Sequence, residues 1–353
     1  MFSTLLKSSG ARPTRRILIS ALATVSVAAI ALSGCTSTPA ASSGDGGEST
    51  AAGGDGIEIV VMGGATDDPF WSTVKRGGEA AGEFVSAAGG KVTFLAMPNY
   101  DNFNADAAKL VANIDALDPD AAVIPDWAPE AQNEAIKALT DRGIPVFLYN
   151  TGVDEVEKVG AEGYIGSDDY ASGNLAGETF ADAGAKHAVC VNTLPGTTNA
   201  DARCKGVKDG AEGKGISYTE LALPTSQFGD PTAVAQAIKG ALIQDPTIDG
   251  IFTPGQSDTN AAASGIDQAG LTGKVFLGGQ NFDKESLDRI QKGTQLFAID
   301  QQGFSQGYYA VSAAFQLAAY GIQLSQTTLL TGPAVIDADN VESALSGTEL
   351  GVR

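Results

Sequence analysis

The chain has 353 residues, of which 43% are hydrophobic and 18% charged, so it can form two domains that each bury a core. Its 42 acidic and 22 basic residues give a net charge of −20, which excludes a protein built to bind the phosphate backbone of a nucleic acid. One histidine and three cysteines are too few for a Cys/His zinc centre beside other functions. We therefore predict no metal, no cofactor and no nucleic-acid partner.

The N-terminal segment is typical of an export signal. Basic residues at positions 7, 12, 15 and 16 precede a mostly apolar run over residues 17–32. As a helix this run would span about 24 Å, which is shorter than the roughly 30 Å hydrocarbon core of a membrane. We therefore predict a signal peptide over residues 1–34 rather than a membrane-spanning helix.

The signal ends in residues 32–35 (Leu-Ser-Gly-Cys), which resemble the lipobox of bacterial lipoproteins, where the cysteine is lipidated and becomes the new N-terminus. Residues 14–18 partly resemble a twin-arginine export signal, so the sequence leaves the export route open. Removal of the signal leaves 18 basic residues against the 42 acids, a net charge of −24. We expect an exported protein at the outer face of the cytoplasmic membrane, which it contacts only through the lipid on Cys35.

Residues 35–56 are predicted to be the lipidated cysteine and a flexible tether. Almost every residue after Cys35 in this segment is Ser, Thr, Gly, Ala, Asp or Pro, and such a composition buries too little apolar surface to offset the entropy of ordering.

The two remaining cysteines, Cys190 and Cys204, have an oxidising environment if the protein is exported. With Cys35 lipidated, only one pairing is possible, and we predict a disulfide between them. Two reduced and buried thiols remain the alternative.

From residue 57 onward, short β-branched segments alternate with amphipathic, alanine-rich segments, which predicts parallel sheets covered by helices on both faces. The fold class is therefore α/β with two doubly wound sheets. The predicted strands are 57–62, 92–95, 121–124, 146–149, 188–191, 217–221, 250–253, 275–277 and 297–299. The predicted helices are 70–88, 103–117, 129–142, 170–183, 199–212, 231–244, 258–269, 284–291 and 304–320.

Polar and aromatic side chains follow the ends of these strands. In doubly wound folds, ligands bind beyond the carboxyl ends of the strands, so these residues are candidates for a binding site. Amide and acid groups beside aromatic faces suit a small polyhydroxylated ligand. Each residue also has a structural alternative as a helix cap, a turn residue, a core ring or half of a surface ion pair. The candidates are Asp67, Asp68, Phe70, Trp71, Asn150, Arg203, Asp258, Asn281 and Gln301.

Several segments together resemble the periplasmic sugar-binding proteins of ABC transporters, of the ribose-binding type, from about residue 57 to residue 336. The segments are residues 67–71 (Asp-Asp-Pro-Phe-Trp), 166–177 (with Gly173 and Gly177), 203–206 (Arg-Cys-Lys-Gly), 279–281 (Gly-Gln-Asn) and 298–307. The resemblance implies the type I periplasmic binding protein fold, with two doubly wound parallel-sheet domains joined by a three-crossing hinge. It places residues 57–167 plus 302–330 in the N-terminal α/β domain and residues 168–301 plus 331–353 in the C-terminal α/β domain.

The resemblance also implies roles for individual residues. The rings of Phe70 and Trp71 would sandwich a sugar, Arg203 would bond to its hydroxyls, and Gln301 would touch it. By weaker alignment, Phe228 is a further stacking residue and Asp126 a residue of the site's rim. Asn150-Thr151 and Asn281 depart from the charged residues of ribose binders, which argues against ribose itself but not against a polyol.

An enzyme is not predicted. Residues 303–307 fit the Gly-x-Ser-x-Gly pattern of a hydrolase nucleophile, but no histidine follows His187 to serve as its base. We expect a monomeric solute-binding lipoprotein that delivers a sugar or polyol to an ABC transporter permease. The alternatives are a nucleoside ligand, an amino-acid ligand held by Arg203 and Asp258, a sensing partner of a membrane receptor, a secreted hydrolase, and a sugar-responsive repressor.

Overall fold

A computed structural model describes residues 56–353 of the chain. The predicted signal peptide, the lipidation of Cys35 and the predicted tether up to residue 55 lie outside the described residues. Within residues 56–353, no helix is both long enough and apolar enough to cross a membrane.

Strands and helices alternate along the described residues. The strands are β1 (Glu58–Gly63), β2 (Lys91–Ala96), β3 (Ala121–Ile124), β4 (Val146–Tyr149), β5 (Gly163–Ser167), β6 (His187–Asn192), β7 (Ser217–Ala222), β8 (Gly250–Thr253), β9 (Phe276–Gln280), β10 (Phe297–Asp300), β11 (Thr328–Gly332) and β12 (Ala334–Ile336). The helices are α1 (Pro69–Ala87), α2 (Phe103–Leu117), α3 (Pro129–Asp141), α4 (Val156–Val159), α5 (Asp169–Asp182), α6 (Thr198–Gly213), α7 (Pro231–Gln244), α8 (Gln256–Gln268), α9 (Lys284–Gln291), α10 (Gly303–Tyr320) and α11 (Val341–Glu349).

The strands form two six-stranded sheets with the same order of strands. The first sheet runs β11-β5-β4-β3-β1-β2 and the second β12-β10-β9-β8-β6-β7. Neighbouring strands are parallel, except that β12 is antiparallel to β10. The predicted fold class, α/β with two doubly wound sheets, is confirmed. We call residues 56–167 with 303–332 lobe 1, and residues 168–300 with 334–353 lobe 2.

The chain passes between the lobes three times: after Ser167, after Asp300, and between Gly332 and Ala334. Helix α5 follows the lobe 1 strand β5 but packs against α6 in lobe 2. Helix α10 follows the lobe 2 strand β10 but packs against α1 in lobe 1. In each lobe, one covering helix (α5 in lobe 2, α10 in lobe 1) therefore directly follows a strand of the other lobe. We call α5 and α10 the outer helices.

Alternation of apolar side chains explains why helices cover both faces of each sheet. In β1, Val60 and Met62 join one buried cluster, whereas Ile59 and Val61 join the cluster on the opposite face. Strands β3 and β4 are buried along their whole length, as expected for central parallel strands.

Glycines allow the outer helices to approach their neighbours closely. A Cβ atom at Gly173 of α5 would lie 1.9 Å from the carbonyl oxygen of Arg203 in α6, and one at Gly206 would lie 2.2 Å from that of Tyr170. In lobe 1, a Cβ atom at Gly77 of α1 would lie 1.9 Å from the carbonyl oxygen of Phe304 in α10. Each contact is to backbone, which cannot move without separating the two helices.

We expect Gly173→Ala to lower the free energy of unfolding by about 1–3 kcal/mol, because the added methyl group would overlap the backbone of α6. The matched control is Gly240→Ala in α7, where a Cβ atom would have no neighbour within 4 Å. That variant should gain about 0.5–1 kcal/mol from its better helix propensity. Urea denaturation of both variants measures the difference. Equal stability of the two would contradict the close crossing of α5 and α6.

Candidate functional site

A cavity of about 100 Å³ lies between the lobes, at the carboxyl ends of strands from both sheets. This is the position that doubly wound folds use for ligands. Nine of the eleven predicted ligand-binding residues line it: Asp68, Phe70, Trp71, Asn150, Arg203, Phe228, Asp258, Asn281 and Gln301. The structure places the other two outside the lining, since Asp67 is exposed before α1 and Asp126 is fully buried after β3.

Lobe 1 contributes a wall of aromatic rings. The ring of Trp71 meets those of Phe70 and Trp127 edge to face, with centroids 5.2 and 5.4 Å away. Phe103 lies 5.4 Å from Trp127 and 6.0 Å from Tyr100. Such a wall offers both faces and edges to the apolar C–H groups of a ligand.

The start of α1 fixes the position of Phe70 and Trp71. Asp68 caps the helix, because its Oδ1 accepts a hydrogen bond of 2.9 Å from the backbone N–H of Phe70. Pro69 occupies the first helical turn. The other oxygen of Asp68 accepts a hydrogen bond of 2.8 Å from the hydroxyl of Tyr100. The cap that the sequence offered as an alternative is therefore present, and Asp68 lines the cavity as well.

Lobe 2 contributes a buried guanidinium. The side chain of Arg203 is only 5% exposed and donates through Nε and Nη2 to Oδ1 of Asp169, at 2.9 and 2.7 Å. It also donates to the carbonyl of Pro254 at 2.7 Å and to the side-chain oxygen of Gln301 at 3.1 Å. Burial raises the pKa of Asp169 to about 6 although Arg203 lowers it. A surface ion pair, the structural alternative for Arg203, is wrong because the pair is buried.

A second acid faces the cavity from lobe 2. Asp258, at the start of α8, is 3% exposed, and its Oδ2 accepts a hydrogen bond of 2.6 Å from the hydroxyl of Thr193. Its pKa is raised to about 6, chiefly by burial and also by the charge of Asp68 in lobe 1, although the hydrogen bond from Thr193 lowers it. Burial also raises the pKa of Asp68. The cavity thus holds two acids that interact across the interface between the lobes.

Three polar residues at strand ends have left-handed backbone conformations: Asn150 (φ 64°), Asn281 (φ 61°) and Gln302 (φ 56°). Non-glycine residues rarely adopt this conformation, and it clusters at binding sites. The bend lets Asn281 accept a hydrogen bond of 3.0 Å from Gln301 inside the cavity, and Asn150 donate one of 3.2 Å to Gln306. Hydrogen bonds within the protein thus fix the positions of Asn281 and Asn150.

The lobes contact each other at the rim of the cavity. The ring of Phe228 in lobe 2 lies 5.1 Å from that of Tyr100 in lobe 1. The backbone N–H and the hydroxyl of Thr198 both donate to the carbonyl of Trp127, at 3.2 Å. These contacts join the two lobes at residues that line the cavity: Tyr100, Phe228 and Trp127.

Cys190 and Cys204 form the predicted disulfide, with their Cα atoms 5.5 Å apart. It connects β6 to α6, one residue beyond Arg203. Within residues 56–353, no three His, Cys, Asp or Glu side chains are grouped as they would be around a metal ion.

Asp126 is a buried acid without a partner. It is 0% exposed, and neither carboxylate oxygen has a hydrogen bond within the described residues. Its pKa is raised to about 7, chiefly by burial and also by nearby Glu155, although Lys158 lowers it. The next residue, Trp127, lines the cavity in its place.

We expect Asp126→Asn to stabilise the protein at pH 8 by on the order of 1–3 kcal/mol and to change it little at pH 4. The pKa of about 7 exceeds the ordinary value of 3.8, so the folded state binds the proton more tightly than the unfolded state. The free energy of unfolding therefore falls as the pH rises from about 4 to 7, and the whole penalty is present above pH 7. Melting temperatures of both proteins across this range test it. A gain in stability by Asp126→Asn that is equal at all pH values would contradict an unpaired buried charge on Asp126.

Comparison with known proteins gives three main findings. The sequence profile of the periplasmic binding protein domain family matches residues 59–322. The xylose/arabinose-binding protein XylF of Sulfolobus acidocaldarius is 25% identical over 233 residues, which are 62% of this chain and 56% of XylF. The D-ribose/D-allose-binding protein of Pseudomonas aeruginosa is 26% identical over 217 residues, 60% of this chain and 65% of that protein. The matches thus span less than two thirds of either relative.

Among solved structures, a carbohydrate transporter protein from Acidothermus cellulolyticus in complex with myo-inositol superposes with a TM-score of 0.76. It is 27% identical, and the match covers 84% of this chain and all of that one. A glucose-galactose binding protein from Geobacillus stearothermophilus superposes with a TM-score of 0.72 at 19% identity, covering 81% of this chain and 99% of that one, which shows the shared fold.

Proposed function

The chain belongs to the periplasmic binding protein domain family, and from that premise we propose that it captures a sugar or polyol between its two lobes. Members of this family bind solutes and do not transform them, in agreement with the prediction that the chain is not an enzyme. The observation that carries the proposal is the cavity between the lobes, in which polar side chains from both lobes face a wall of aromatic rings. We propose a location outside the cytoplasm, with a lipid anchor at Cys35 and delivery to an ABC transporter permease.

The polar groups of the cavity suit neutral hydroxyls better than a carboxylate. A guanidinium has five N–H donors, and four of those of Arg203 are used by Asp169, Pro254 and Gln301. One N–H is left, which can serve one hydroxyl but cannot form the two-pronged pair that Arg makes with a carboxylate. This argues against the alternative of an amino-acid ligand held by Arg203 through its carboxylate.

The relatives support the same class of ligand. Their names state xylose, arabinose, ribose and allose, and the structure with the TM-score of 0.76 holds myo-inositol. All are small rings or chains with several hydroxyl groups. We propose a pentose, hexose or cyclitol for this chain.

Ligand contacts that come from both lobes exist together only when the lobes are closed. A ligand that binds Phe70 and Trp71 in lobe 1 and Arg203 in lobe 2 therefore shifts the equilibrium from open to closed. A micromolar dissociation constant would correspond to about −8 kcal/mol. A missing hydroxyl would leave a buried partner unpaired, which gives selectivity among sugars.

The test is a thermal-shift screen of the purified, exported protein against sugars, cyclitols, nucleosides and amino acids. A ligand of the folded state must raise the melting temperature, by an amount that grows with its concentration. We expect shifts with one or a few polyols. Shifts with amino acids or nucleosides alone would overturn the proposed ligand class.

A further inference from the structure

The charges of the acidic and basic side chains that line the cavity do not balance. Asp68 from lobe 1 and Asp258 from lobe 2 face it, and Arg203 is the one guanidinium among its lining residues. The charge of Arg203 is already matched by the buried Asp169 behind it, 2.7 Å away. Within residues 56–353, no Lys or Arg nitrogen lies within 4 Å of the carboxylate of Asp68 or Asp258. Two carboxylates therefore remain without a cation.

The hydrogen bonds of these two acids leave one carboxylate oxygen without a partner. Asp68 accepts from the N–H of Phe70 and the hydroxyl of Tyr100. Asp258 accepts from the hydroxyl of Thr193 through Oδ2 alone, so its Oδ1 has no hydrogen bond within the described residues. The two carboxylates belong to different lobes and line the same cavity, where the charge of Asp68 acts on Asp258. Bringing like charges together in a buried site is costly unless a cation joins them.

We propose that the cavity binds amine-bearing polyols, amino sugars or aminocyclitols, more tightly than their neutral counterparts. This rests on the proposed function, because it concerns the same site and the same class of ring. An ammonium group in the cavity offsets the charge of these carboxylates and can donate three hydrogen bonds, whereas a hydroxyl at the same place donates one and carries no charge.

The same charge balance excludes acidic sugars. A uronate or sugar phosphate would bring its charge between two carboxylates, with one free N–H of Arg203 to receive it. Coulomb repulsion in a partly buried site is stronger than in water, so these ligands should bind far more weakly than neutral ones.

The experiment compares matched ligands by calorimetric titration at low ionic strength: glucosamine, glucose and glucuronate, and an amino-inositol with myo-inositol. We expect the amine to bind at least 10-fold more tightly than its neutral partner and the uronate not to bind. Asp258→Asn should reduce the ratio of the affinity for the amine to the affinity for the neutral ligand to near one. Asp67→Asn, which removes an exposed charge outside the cavity lining, is the matched control and should keep the ratio.

The outcomes separate the two proposals. If neutral polyols bind as tightly as their amines, or if Asp258→Asn leaves the ratio unchanged, the preference for amines is overturned and the proposed function stands. If neither amines nor neutral polyols of any kind bind, both are overturned.

Discussion

Arg203→Ala is expected to lower the free energy of unfolding by about 3–5 kcal/mol, because it leaves the buried carboxylate of Asp169 without its cation. It also leaves the carbonyl of Pro254 and the side-chain oxygen of Gln301 without a donor. Urea denaturation without ligand measures the loss. Because Arg203 lines the cavity, any polyol that binds the wild-type protein should no longer produce a thermal shift.

A second substitution separates the two effects of Arg203. In Arg203→Ala/Asp169→Asn the charge that was left unpaired is gone, so we expect much of the stability to return while ligand binding remains lost. Arg203→Ala with wild-type stability would show that the ion pair is not buried in solution. Full binding by the double variant would show that Arg203 does not touch the ligand.

Trp71→Ala is expected to cost about 3–5 kcal/mol of stability and to abolish ligand binding. The ring packs against the core clusters on both faces of the lobe 1 sheet and lines the cavity as well. Circular dichroism melting without ligand and titration with the ligand found in the screen measure the two losses. A variant that melts like the wild type would contradict the packing of Trp71 in the core.

Phe228→Ala tests the loss of ligand binding without a large loss of stability. Phe228 lines the cavity from a turn of lobe 2 and belongs to none of the three core clusters of that lobe. We expect about a 10–100-fold loss of ligand affinity from the lost ring contact, with a change in unfolding free energy below about 1 kcal/mol. Unchanged affinity would remove Phe228 from the ligand site.

The strands that the sequence predicts are those with runs of β-branched residues, and all nine are present with shifts of a few residues at their ends. Strand β5 was not predicted because two of its five residues are glycine, which disfavours a strand in isolation. The fold needs both: a Cβ atom at Gly163 would lie 2.7 Å from the carbonyl oxygen of Thr327, and one at Gly166 would lie 2.3 Å from the hydroxyl of Tyr164. The first requirement comes from a residue distant in sequence, and the second from the position of a ring two residues away. Strands β11 and β12 and helices α4 and α11 were missed as well.

Much of the site could be predicted because parallel strands bring their carboxyl ends to one edge. The rule locates a neighbourhood, but it does not tell which of two consecutive residues faces the cavity. After β3, the resemblance to sugar-binding proteins favoured Asp126, whereas Trp127 lines the cavity and Asp126 is buried near Glu155. Tyr100 and Phe103, which follow β2, were also missed, although an aromatic residue after a predicted strand was the signal that found Phe70 and Trp71.

The crossing of α5 and α10 between the lobes has a consequence for how the protein can be divided. The two lobes have the same strand order, and each is covered by a helix that follows a strand of the other lobe. This is the topology of a domain-swapped dimer whose two subunits are joined in one polypeptide. A fragment ending at Ser167 would lack α10 and expose the apolar face that contains Val61, Phe147 and Tyr149. The two halves are thus not independent folding units. Either half can be exchanged between relatives only together with the helix that it supplies to the other half.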